Sequence, residues 1–206
     1  MPDLINSNRT TAIVSGDIEI GAVEIKNSGD DTRATVGANG LYVDVRTIQA
    51  GETHIGQVSG HGKTISQTPT VTAGAYSAGD AVGGLLTFAN AARVSTGGGV
   101  IKQVIILDDA GQDVELELWL FNATFTAMAD NAAWAPSEAD LRKLIGIVST
   151  VDGSWFAAGT PSAARILDVG RYDLTGTSLF GQLVTRGTPT YAATDDVTII
   201  VGLLQD

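Results

Sequence analysis

A helix has no use for the pattern VELELWLF at residues 114–121, because it would scatter Val114, Leu116, Leu118 and Leu120 around its circumference. A strand puts these four on one face and Glu115, Glu117 and Trp119 on the other. Burying such side chains is worth about 1.5–3 kcal/mol each relative to exposure, before the entropy of ordering them is subtracted. The segment is therefore expected to be one wall of a core. Similar runs lie around it: AVGGLLTFANA (Ala81–Ala91), VIKQVIILD (Val100–Asp108), LIGIVST (Leu144–Thr150), ARILDV (Ala164–Val169), SLFGQLVT (Ser178–Thr185) and VTIIVGLL (Val197–Leu204). Together they make seven strand candidates at the spacing of an antiparallel sandwich. The fold class expected is all-β, with a jelly-roll-like sandwich over residues 64–206.

Local signals refine this expectation. LDDAGQDVEL, between two strong strands, reads as a hairpin, with Asp108 and Asp109 opening the turn and Gly111 in the left-handed position. PSEADLRKLIG carries the only helix signal: Ser137 as cap, Asp140 three residues later, and Gly146 as the stop. No repeat of 20–50 residues is visible, which argues against propellers and solenoids.

The first third of the chain is different. Thr11–Ile25 offers short strands broken by Gly16 and Gly21, Asn27–Asp31 is a turn cluster, and Asn39-Gly40 is a turn feeding LYVDV. In that strand Leu41, Val43 and Val45 share a face. From Gln49 to Ala78 the residues are mostly Gly, Ser, Thr, Gln and Pro, which reads as an extended connector. Residues 1–63 carry too few apolar anchors for a core of their own. They are expected to form an attachment arm that adds strands to another chain through Ile18, Ile20, Val23, Ile25, Leu41, Val43, Val45, His54 and Ile55. The other possibility is that Ile18–Val45 folds back onto the sandwich as a hairpin sheet.

Charge and composition narrow the function. A net charge of −11, with 12 Lys and Arg residues, disfavours nucleic acid and anionic lipid as partners. The longest apolar run, Val197–Leu204, is far short of the roughly 20 residues of a membrane helix, and the start of the chain lacks the pattern of a secretory signal. A soluble protein is expected. The sequence has no cysteine, so disulfides, thiolate metal sites and thiol nucleophiles are excluded.

The chemistry-bearing motifs are weak. GQVSGHGKT (Gly56–Thr64) ends like a phosphate-binding loop, but five residues separate Gly56 from Gly62 where the motif needs four, and ISQTPT follows in place of a helix. His54 and His61 both lie in this glycine-rich stretch without visible triad or metal partners. His54 reads as an interface residue and His61 as a solvated loop residue. The pairs Asp30/Asp31, Asp108/Asp109 and Asp195/Asp196 read as turn residues rather than calcium ligands, and STGGGV (Ser95–Val100) as a loop or bulge. No enzyme activity, metal or other cofactor is expected.

The segments VEIKNSGDD, HIGQVSG and YSAGDAVGGLLTFANAARVSTGGGVIKQVIILDDAGQDVELELWLF resemble a group of tailed-bacteriophage structural proteins that decorate capsids or serve as minor head proteins. The likeness is most specific from Tyr76 to Phe121 and extends more loosely over NAAWAPSEADLRKLIGIVS. It implies a virion protein, assembled in the host cytoplasm, that decorates or cements the outer capsid surface by binding the major capsid protein. A homotrimer is the expected state, because proteins seated at local three-fold positions reproduce the symmetry of their site. The alternative is a tail or neck component, or a receptor- or carbohydrate-binding module using Trp119, Trp134 and Trp155 as exposed sugar platforms.

Overall fold

The computed structural model describes the backbone of four short strands between residues 26 and 42, together with residues 60–152 and 155–206. The chain divides into two units, Met1–Ile55 and Gly56–Asp206. In the first, β1 (Lys26–Asn27) pairs antiparallel with β2 (Asp30–Arg33), and β3 (Thr35–Gly37) with β4 (Gly40–Tyr42). Gly37 lies opposite Gly40, so Gly40 already belongs to the strand that the Asn39-Gly40 turn was expected to feed.

The second unit is a sandwich of two antiparallel sheets. Its strands are β5 (His61–Gln67), β6 (Ala81–Phe88), β7 (Gly98–Asp108), β8 (Leu116–Phe121), β9 (Leu144–Ser149), β10 (Trp155–Ala157), β11 (Ser162–Asp173), β12 (Leu179–Thr185) and β13 (Val197–Gln205). One sheet runs β10-β11-β7-β13-β5 and the other β6-β12-β8-β9. With short β10 set aside, the pairing is nested: β5 with β13, β6 with β12, β7 with β11, β8 with β9. A long hairpin wrapped into two sheets has this order, which is the topology of a jelly roll.

All seven strands read from sequence are present, with ends shifted by a few residues. On β8 the alternation holds: Leu116, Leu118 and Leu120 are buried, while Val114 lies just ahead of the strand and packs against the core. Facing them across the interior are Val104 and Ile106 of β7 and Val197, Ile199 and Val201 of β13. β13 is held between β7 and β5, and its inward side chains Val197, Ile199, Val201 and Leu203 are buried in the core.

Three local expectations need correction. HGKTISQ is a seven-residue strand rather than connector, and it runs across the 63/64 boundary drawn from sequence. It forms because β13 offers a complete pairing partner from Gln67↔Ile199 to His61↔Gln205, and because Ile65 packs against the core. The segment after Asp108 is not a hairpin, since β7 and β8 lie in different sheets. It is an arch built around the buried Asp108, whose carboxylate accepts from the amides of Ala110 (3.1 Å), Gln112 (2.9 Å) and Asp113 (3.2 Å). Gly111 does take the left-handed conformation, at φ 58°, with the carbonyl of Thr160 only 2.0 Å from where a Cβ would stand. Finally, the helix α1 (Glu138–Leu141) starts at the expected cap, where the Ser137 hydroxyl accepts from the Asp140 amide, but it ends at Arg142; Gly146 lies in β9.

Candidate interaction surfaces

Most residues expected to touch a partner, Ile18, Ile20, Val23, Ile25, Val43, Val45, His54 and Ile55, lie outside the described residues. Leu41 lies in β4, opposite Val36 of β3. The tryptophans are half-buried rather than exposed. Trp119 and Trp134 pack on each other with ring centroids 5.4 Å apart, Phe125 meets Trp134 edge-on, and Trp155 packs against the core. The Trp119 indole N–H donates to Glu117, which also holds Arg186 at 2.7 Å.

The carboxylates that punctuated the sequence hold loops in place. Asp130 accepts from the Gly83 amide (2.6 Å), the Tyr76 hydroxyl (2.7 Å) and the Thr72 hydroxyl (2.5 Å), tying the segment before β6 to the loop after β8. Asp196 accepts from the amides of Ala192 and Ala193. Gln182 plays the same part in the β6–β12 ladder. Gly181 pairs with Leu86 and Leu183 with Val82, so Gly83, Gly84 and Leu85 bulge opposite Gln182. Its buried amide fills the bulge, donating to the carbonyls of Gly83 and Met128 and accepting from the Met128 amide. These groups are engaged in architecture. Among the described residues no group of three or more His, Asp or Glu is arranged to hold a metal ion, and no helix is long and apolar enough to cross a membrane.

Two surfaces remain. The outward face of the five-stranded sheet carries apolar side chains in register: Ile105 of β7 lies opposite Ile200 of β13 and Arg165 of β11, and Leu107 lies opposite Thr198 and Ala163. Phe156 of β10, opposite Ala163, is 62% exposed, and Leu167 of β11 is 54% exposed. The second surface is an open groove of about 380 Å³ at the end of the sandwich, lined by His61, Lys63, Asn90, Ala92, Arg93 and Gln205. His61 and Lys63 come from the edge strand β5, Asn90 to Arg93 from the loop between β6 and β7, and Gln205 from the end of β13.

The floor of the groove is fixed by Gln205, which is 3% exposed. Its amide nitrogen donates to the Asn90 carbonyl at 2.7 Å, so its oxygen faces His61 Nδ1 at 3.2 Å. Nδ1 must therefore be the donor, and the other imidazole nitrogen has no partner among the described residues. The sequence reading missed this groove because it took His61 for a loop residue; Arg93 and Gln205 carry no local signal that would place them beside it.

No protein-family model matches the chain, and no curated protein matches it.

Proposed function

We propose that the chain is a structural protein of a tailed-phage virion that decorates or cements the outer capsid surface by binding the major capsid protein. The observation that carries this reading is the nested jelly-roll pairing, a topology shared by capsid proteins, lectins and cupins. A fold does not choose among these roles by itself. Two things favour the virion: the resemblance over Tyr76–Phe121, and the use of Asp108, Asp130, Asp196 and Gln182 as loop staples, which makes a rigid scaffold rather than a reaction site. In this reading the protein acts without catalysis or cofactor, and as a trimer at three-fold positions of the shell. Attachment is assigned to the N-terminal unit, through Leu41, Val43 and Ile55 among its apolar anchors.

Co-sedimentation with undecorated capsids tests the proposal. The full chain is expected to pellet with the particles. Val43→Asp is expected to stay in the supernatant while melting at the wild-type temperature, because its charge is buried only in the complex. A full chain that never pellets with capsids overturns the reading. A Val43→Asp variant that unfolds by itself overturns the attachment arm.

A further inference from the structure

We propose that the groove between β5 and the β6–β7 loop is a docking site for an acidic polypeptide strand, with one of its carboxylates held between Lys63 and Arg93. The fate of the other cations leads there. Lys102 pairs with Asp168, Arg142 with Glu138, Lys143 with Asp140, Arg171 with Asp173 and Asp206, and Arg186 with Glu117, while Arg165 bonds Gln103. Lys63, Arg93 and Arg165 are without a carboxylate partner among the described residues 60–206, and the first two both line this groove. In a chain of net charge −11, two cations without a carboxylate partner among the described residues, together with a histidine, in one recess are a local reversal of sign. Asp206, next to Gln205, does not line the groove, and its carboxylate lies 3.7 Å from Arg171.

The recess is built. Gln205 is buried and spends both ends of its amide on Asn90 and His61, so the loop and the edge strand are held at a fixed separation. A polypeptide fits better than a nucleic acid or a lipid. Phosphate polymers are bound by many cations along a track, and here two line the groove of an acidic protein. A strand, by contrast, has a second set of contacts to make. β5 is the last strand of its sheet, and among the described residues nothing pairs with its outer edge, so its free amides and carbonyls can take up an antiparallel or parallel neighbour. Such a neighbour would bring its side chains past Lys63, where the groove opens. This recognition needs only an acidic strand, so it holds wherever the protein resides.

The test uses the full chain and an alternating Val-Asp peptide of about ten residues, followed by amide chemical shifts. Saturable shifts at His61–Gln67 and Asn90–Arg93 are expected. Lys63→Glu combined with Arg93→Glu is expected to weaken binding at least about ten-fold. The milder Lys63→Gln with Arg93→Gln is expected to fall between. Both should melt at the wild-type temperature, since neither side chain holds an ion pair among the described residues. The proposal is overturned if the peptide does not bind, or if it binds equally well to the charge-reversed protein. It is also overturned if inorganic phosphate or a thymidine oligonucleotide gives the same shifts with equal or better affinity.

Discussion

Two buried tyrosines in edge-to-face contact, 5.6 Å apart, have hydroxyls in opposite situations. That of Tyr76 accepts from the Thr72 amide and donates to Asp130, each at 2.7 Å. That of Tyr191 is buried without a hydrogen-bond partner. Burial raises the pKa of both, so both stay protonated through the physiological range. Tyr191→Phe removes a polar atom that gains nothing in the fold and keeps the ring contact, so thermal unfolding should show it unchanged or up to about 1 kcal/mol more stable. Tyr76→Phe leaves an amide and a carboxylate short of a partner and should cost about 1–3 kcal/mol. Acid titration separates two carboxylates in a similar way. The Arg186 guanidinium, with the Trp119 indole behind it, holds Glu117 below its ordinary value of 4.5. Its contribution is complete above that value and lost as pH falls through the lowered one. Asp108 is shifted the other way: burial raises it above 3.8 despite three amide bonds, so between 3.8 and its raised value stability grows as pH falls. Urea unfolding below pH 5 should show a shallower acid loss for Glu117→Gln than for the wild type.

Among the elements, the strands that sequence revealed are those that bury a row of apolar side chains, the edge strands β6 and β9 included. β7, β8, β12 and β13 each bury a row of aliphatic side chains and have partners on both edges, so their apolar period is written plainly. β5 pairs on one edge only and commits Ile65 alone to the core, so its sequence has little reason to differ from that of a loop. The candidate groove was hidden for the same reason and one more: its walls come from residues 61, 93 and 205, which only the folded sheet brings together. The arch between β7 and β8 shows a further limit. Turn chemistry correctly gave Gly111 its left-handed backbone, but it carries no information about which sheet the next strand will join. Gly111→Ala should therefore be among the most damaging single changes, since it combines backbone strain with a clash against the Thr160 carbonyl; a loss of more than about 2 kcal/mol in thermal unfolding is expected. An alanine variant of wild-type stability would mean that the arch can move away from Thr160.

For the whole molecule, the division at Ile55/Gly56 predicts where the chain can be cut. Residues 56–206 retain all the strands of both sheets and should unfold cooperatively, close to the temperature of the full chain. Beginning instead at Thr64 removes His61, Gly62 and Lys63 from β5 and three of its positions opposite β13, so that form should melt lower. If both forms melt alike, the first turn of β5 contributes nothing to the sandwich.

The nested pairing also sets a timetable. β5 is the first strand of the sandwich to leave the ribosome, yet its partner β13 is the last, more than a hundred residues later. Until Val197–Gln205 emerge, the five-stranded sheet lacks the strand that joins β7 to β5, and the aliphatic faces of β7 and β8 wait uncovered on one side. Folding of this unit thus waits for its last strand, with slow closure and a period of exposed strand edges. A cell making the protein in quantity would have to keep half-made chains apart from one another until the final strand arrives.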